Sequence, residues 1–174
     1  MGFYRFYEHR LYERFIISRI SGLRDLFFVT GWICSVVGLY KLQAMGNKRW
    51  QKNIMFIQLI LLIVLACSCF FKIVFPRASS TIFHYLFLLW PAAGFFMVIT
   101  GSIILFAKKL KGWRLYVPLI AGFWFPETVM VYYFTKNSLL SLVISGVYST
   151  IIFSLLGLSV FTADYISSAR KISY

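Results

Sequence analysis

The sequence predicts an all-α, polytopic transmembrane helical bundle of about five membrane-spanning helices, preceded by a short N-terminal interfacial helix. Three observations carry that expectation. Of the 174 residues, 60% are hydrophobic and only 13% are charged, against roughly 25% charged in ordinary soluble domains. The apolar residues gather in five long runs, none shorter than the ~17 residues a helix needs to cross a bilayer. The cations gather in short clusters between those runs, where loops meet anionic headgroups. A soluble globule of this size lacks the interior to hide so much apolar surface, so lipid is its solvent. No polar linker divides the chain, which points to one compact membrane domain.

Helices are expected rather than a barrel. A spanning strand alternates polar and apolar residues over ~10 positions, and a stretch such as 57–71 is apolar without alternation.

Residues 1–25 form a basic, aromatic segment carrying Arg5, Arg10, Arg14, Arg19 and Arg24. Arg5-Phe6-Tyr7-Glu8 is echoed by Arg10-Leu11-Tyr12-Glu13, and each Arg–Glu pair has the spacing of neighbours on a helix face. The charges wind around such a helix instead of collecting on one side. A segment lying on the membrane surface, held by Tyr and Phe at headgroup level, is therefore expected. No apolar stretch is followed by a small-residue cleavage site, so no cleavable leader is expected.

The transmembrane bundle occupies 26–163, in runs at 26–42, 53–75, 81–107, 115–135 and 139–163, and a short tail follows at 164–174. The first run sits at the lower length limit and contains Gly31 and Gly38. A re-entrant path for it would leave four spans instead of five. The second run ends ahead of Pro76, and the third contains Pro91. The fourth contains Pro118, Pro126 and Glu127. Only Lys136, Asn137 and Ser138 separate the fourth run from the fifth, which forces an antiparallel helical hairpin.

Charge sets the orientation. Lys41, Lys48, Arg49 and Lys52 fall between runs one and two. Lys108, Lys109, Lys111 and Arg114 fall between runs three and four, and Arg170 and Lys171 in the tail. Opposite them stand Lys72, Arg77 and Lys136, a split of ten against three with the N-terminal segment set aside. The positive-inside rule then predicts a cell-membrane protein with its C-terminus in the cytoplasm. Trp50 and Trp113 lie in the basic loops, where interfacial anchors belong. The net charge of +13 is thus a lipid signal, and no nucleic-acid partner is expected.

Glu127 is the outstanding residue. A charge at the centre of a spanning helix costs roughly 2.5–3.5 kcal/mol on insertion scales. It has to be protonated, paired, or turned toward water or another helix. Its neighbour Pro126 has no N–H to give the carbonyl of Gly122, so a kink, a freed carbonyl and an acid coincide. Broken helices of this kind line binding sites in transporters. Lys72, Arg77 and His84 fall at the same side of the membrane and are expected to form an outer polar cluster with Glu127, with Tyr132 and Tyr133 at its rim.

The fifth run carries two rows of small residues four apart: Ser141, Ser145 and Ser149, then Gly146, Thr150 and Ser154. Such rows allow close helix packing and interhelical hydrogen bonds. Internal packing is the first expectation, with homo- or hetero-oligomerisation through the fifth helix as the other. Cys34, Cys67 and Cys69 all lie in apolar runs, so they are packing residues and not a disulfide framework.

No phosphate-binding glycine loop, His-Glu-x-x-His motif or Gly-x-Ser-x-Gly elbow is present. No cofactor, metal or catalytic residue is therefore expected. The leading expectation is a non-catalytic protein packing with a partner subunit, a lipid or an apolar ligand. The alternative is a proton- or ion-coupled carrier of a small solute centred on Glu127. An enzyme acting on lipid headgroups would need His84 within hydrogen-bond reach of Glu127.

Overall fold

The computed structural model describes residues 19–75, 88–135 and 138–172, all of them helices and short connections with no strand among them. The expected interfacial helix over the first residues lies outside the described residues, as do Arg77 and His84.

Helix α1 runs from Arg19 to Lys41, so it starts ahead of the apolar run and absorbs the end of the basic segment. It is unbroken at Gly31 and Gly38, which gives a re-entrant path no place to turn. Val29, Trp32, Val36 and Leu39 are fully buried, a three-four spacing that places one stripe against the core. The helix ends in a Schellman turn. Gln43 adopts φ 51°, and the N–H groups of Gln43 and Ala44 reach the carbonyls of Tyr40 and Leu39, both at 3.0 Å. Gly46 follows at φ 103°, a conformation that only glycine takes without strain. The Lys48 N–H then donates to Gln51 Oε1 at 3.0 Å, which starts the next helix.

Helix α2, Arg49–Val74, buries Met55, Gln58, Leu62, Leu65 and Cys69 on one face. Helix α3, Leu89–Ala107, buries Ala93, Met97, Thr100, Gly101 and Ile104. Pro91 falls in the first turn of its described part, where a missing N–H costs little. The fourth run is not one helix. A 3-10 turn at Gly112–Leu115 leads into α4, Val117–Gly122, and α5, Trp124–Thr135, leaves α4 at a bend of 58°. Helix α6 is the longest, Ser138–Ile172.

Four of these helices are each long and apolar enough to cross a membrane, and the bent run forms a fifth span if taken as one. Their outward faces are greasy: Phe106 is 82% exposed and Phe134 74%. In water that surface would aggregate; in hydrocarbon it is the ordinary exterior. The helices alternate in direction, with Lys41, Lys48, Arg49, Lys52, Lys108, Lys109 and Lys111 all exposed in the two loops that share one end. Helices α1 and α6 run parallel: Phe28 meets Phe153, and farther along Gly38 faces Val160.

Two contacts fix the centre. A Cβ on Gly101 would lie 2.4 Å from the Leu119 backbone, and one on Gly122 would lie 2.5 Å from the Val98 amide nitrogen. Helices α3 and α4 therefore touch backbone to backbone, as small-residue crossings in membranes allow. Across the α2–α3 contact, the Thr100 hydroxyl donates to Gln58 Oε1, and Gln58 Nε2 lies 3.0 Å from Met97 Sδ. Both polar residues are fully buried. Gln58 is thereby satisfied where lipid would offer it nothing.

Gly101→Leu should lower thermal stability in detergent by about 3 kcal/mol or more through overpacking. Gly31→Ala, at a position open to space, should leave stability unchanged or raise it by up to about 1 kcal/mol. Equal melting temperatures for the two variants would contradict the close crossing.

Candidate functional site

A groove of about 840 Å³ is bounded by α1, α5 and α6, with Trp90 of α3 also lining it. Its floor is aromatic because three helices, α1, α3 and α5, each direct a ring at one point. Phe28 lies 5.9 Å from Trp90 and 6.2 Å from Trp124, and the two tryptophans are 5.5 Å apart, centroid to centroid. Tilted rings at such separations attract one another and present an apolar wall. Behind this wall Trp32 is fully buried against Phe28 and Phe153, and its indole N–H has no partner among the described residues.

Charge sits at one end of the groove. Asp25 accepts from Lys72 Nζ at 3.1 Å and from Arg24 at 2.8 Å. The Asp25 and Lys72 side chains are only 16% and 15% exposed, while Arg24 is 56% exposed. The inner pair ties α1 to α2; the arginine faces outward. Hydroxyls line the α6 wall: Ser141, Ser145 and Ser149 are buried and border the groove together with Gly146 and Thr150. Ser149 donates back to the Ser145 carbonyl at 2.6 Å, and Thr150 to the Gly146 carbonyl at 2.8 Å. Ser145 differs: its Oγ is buried and has no partner among the described residues.

Glu127 lies outside this groove. The break after Gly122 makes it the fourth residue of α5, in the first turn, where the helix dipole favours negative charge. Its Oε2 is buried with no hydrogen-bond partner, and no ion pair forms on it among the described residues. The phenol of Tyr148 interacts with it electrostatically and donates at 2.8 Å to the Ile120 carbonyl beside the break. Pro126 is exposed on the same turn, and Gly122 serves the crossing with α3.

Of the four residues expected in the outer cluster, only Lys72 and Glu127 fall among the described residues. Lys72 joins Asp25 instead of Glu127, and Arg77 and His84 lie outside the described residues. Tyr132 reaches the rim of the groove, while Tyr133 is exposed. The two small-residue rows also part company: Ser141, Ser145 and Ser149 point inward, whereas Thr150 and Ser154 are exposed and Gly146 faces open space. Cys67 is exposed and Cys69 buried, as two helical positions two apart should be.

Sequence reasoning missed Asp25 and Gln58. Asp25 stands at the head of the first span and Lys72 near the end of the second, so an antiparallel hairpin brings them level. Gln58 is the lone amide in the stretch 54–71, which marks it as needing a buried partner.

Fold and site together define a small multi-pass membrane protein with a lateral groove. No family model, curated protein or solved structure matches the chain.

Asp25→Asn should destabilise the protein by roughly 2–4 kcal/mol, because it strands the mostly buried Lys72 charge. Adding Lys72→Met should recover much of that loss in a thermal melt. A double variant no more stable than Asp25→Asn alone would show that the pair does not act as a unit.

Proposed function

We propose that this is a non-catalytic, multi-pass protein of the cell membrane that holds an apolar ligand or lipid chain in the groove between α1, α5 and α6. The groove is the observation that carries the reading. Its volume of about 840 Å³ falls within the ~300–1,000 Å³ typical of ligand sites. It is walled by aromatic rings, and exposed Val129, Tyr132, Val143 and Val147 form its lip. Lipid, not water, bathes that lip in a bundle of this composition.

The orientation proposed is basic loops and C-terminus in the cytoplasm. Its support is the ten-to-three distribution of cations in the sequence and the positive-inside rule. A partner subunit docking on α6 would use Gly146 and Thr150, which also line the groove, so lipid and partner would compete for one surface. After gentle purification, native mass spectrometry should find lipid retained on the wild type. Gly146→Trp, projecting into open space, should reduce that retention by about tenfold or more while the helical circular-dichroism signal persists. Wild-type protein free of lipid, or a Gly146→Trp variant that retains it equally, would defeat the proposal.

A second reading is favoured by one feature, the buried and unpaired Oε2 of Glu127 at a helix break. In it the protein is a proton- or ion-coupled carrier of a small solute, and Glu127 takes up the coupling ion. Glu127→Gln should then abolish flux in proteoliposomes with the fold intact. Wild-type vesicles that carry no flux under proton, sodium or potassium gradients would end this reading.

A further inference from the structure

We infer that the ligand of the groove carries an uncharged carbonyl group, and that Ser145 donates its hydroxyl to that carbonyl while the Phe28–Trp90–Trp124 wall holds the apolar body. This rests on the groove being a ligand site and adds the chemistry by which it tells one apolar molecule from another.

Ser145 is the hydroxyl that the fold leaves over. It is 5% exposed, borders the groove, and its Oγ has no partner among the described residues. Three other hydroxyls along the groove are returned to the backbone. Thr128 donates to the Trp124 carbonyl, Ser149 to that of Ser145 and Thr150 to that of Gly146. The charged end of the groove is also paired within the protein, Asp25 accepting from Arg24 Nε and Nη2 and from Lys72 Nζ. A buried hydroxyl without an acceptor is costly in hydrocarbon. The Ser145 Oγ is enclosed, and rotation between staggered positions about its single Cα–Cβ bond would bring it to an acceptor seated in the groove.

Depth decides the charge of that acceptor. Ser145 stands six residues past Leu139, where the apolar run of α6 begins, about 9 Å along the axis at 1.5 Å per residue. A phosphate or carboxylate drawn to that depth would shed its hydration, a cost that one serine hydroxyl does not offset. The acceptor is therefore neutral.

Hydrogen bookkeeping then separates a carbonyl from an alcohol. When two hydroxyls meet, one donates and the hydrogen of the other still needs an acceptor. A carbonyl has lone pairs and no hydrogen to place. Such a group reaches the groove from two sources, the ester of a bilayer lipid or a free apolar carbonyl compound, and the aromatic wall suits the body of either.

Native mass spectrometry on the full chain in detergent tests this with two matched pairs. Ester- and ether-linked phosphatidylcholine share a headgroup and differ at the chain carbonyls. Methyl pentadecyl ketone and the secondary alcohol obtained by reducing it differ only at the oxygen-bearing carbon. Wild type should retain the carbonyl member of a pair about tenfold more than the other member, the ratio for one buried hydrogen bond. Preference within the first pair assigns the site to a bilayer lipid, and within the second to a free carbonyl compound. Ser145→Ala should erase the preference. Ser159→Ala, which removes a hydroxyl tied to the Leu156 carbonyl farther along α6, should keep it. The infrared band of the isotope-labelled ligand carbonyl should fall to lower wavenumber on wild type and not on Ser145→Ala. In lipid-free detergent Ser145→Ala should melt no lower than wild type; a lower melting temperature would show that the hydroxyl serves the fold and overturn the assignment. A preference that survives Ser145→Ala would also overturn it. If retention is equal within both pairs, yet all four probes are lost from Gly146→Trp, the groove holds apolar molecules and Ser145 does not read them. If wild type retains none of the four, the groove reading itself fails.

Discussion

Hydrocarbon supplies no hydrogen bonds, and nearly every polar choice in this bundle answers to that fact. Ser35, Ser102, Thr128, Thr135, Ser149 and Thr162 fold their hydroxyls back on carbonyls four residues earlier. Gln58 is met by Thr100, and Lys72 by Asp25. Each solution is local or crosses a single helix contact, so the polar groups tell which helices must be neighbours. The few exceptions stand out against that background. Trp32 Nε1, Arg114 Nε, Glu127 Oε2 and Ser145 Oγ are buried without partners among the described residues; of these, Ser145 borders the groove and Glu127 stands beside the break between α4 and α5.

The helical architecture was legible from the chain because a lipid solvent simplifies the code. Long apolar runs have one available structure, and the loop between runs four and five is too short for anything but a hairpin. The break in the fourth run was also visible, since Pro126 cannot feed the Gly122 carbonyl. What could not be read was rotation about each helix axis. Position along a helix gave Lys72 and Glu127 comparable depths, but their faces diverge, and Asp25 takes the lysine. Asp25 itself was hidden by its surroundings: grouped with a basic surface segment, it looked like one more interfacial charge until α1 proved to begin at Arg19.

The two serine and glycine rows on α6 show the same limit. Their spacing announced close packing without saying which row packs. Burial divides them, Ser141, Ser145 and Ser149 facing the bundle and Thr150 and Ser154 facing out. The inward row then turns out to border the groove as well, because α1 and α5 stand apart over that stretch of α6. Glu127 is a further case in which local sequence and structure combine. A carboxylate that would sit in mid-helix if the run were continuous becomes a first-turn residue once the chain bends, and the amide ends of α5 ease its cost.

The contact of Gly101 and Gly122 has a mechanical side. Backbones in direct touch cannot slide without clashing, so α3 and α4 behave as one strut. Beyond Phe123 the chain turns away: α5 leaves that strut through a 58° elbow, packs along α6 and carries Trp124, Phe125 and Tyr132 on its groove side. The smallest side chain in the chain thereby sets how closely two of its helices approach, and so where the elbow before α5 is anchored.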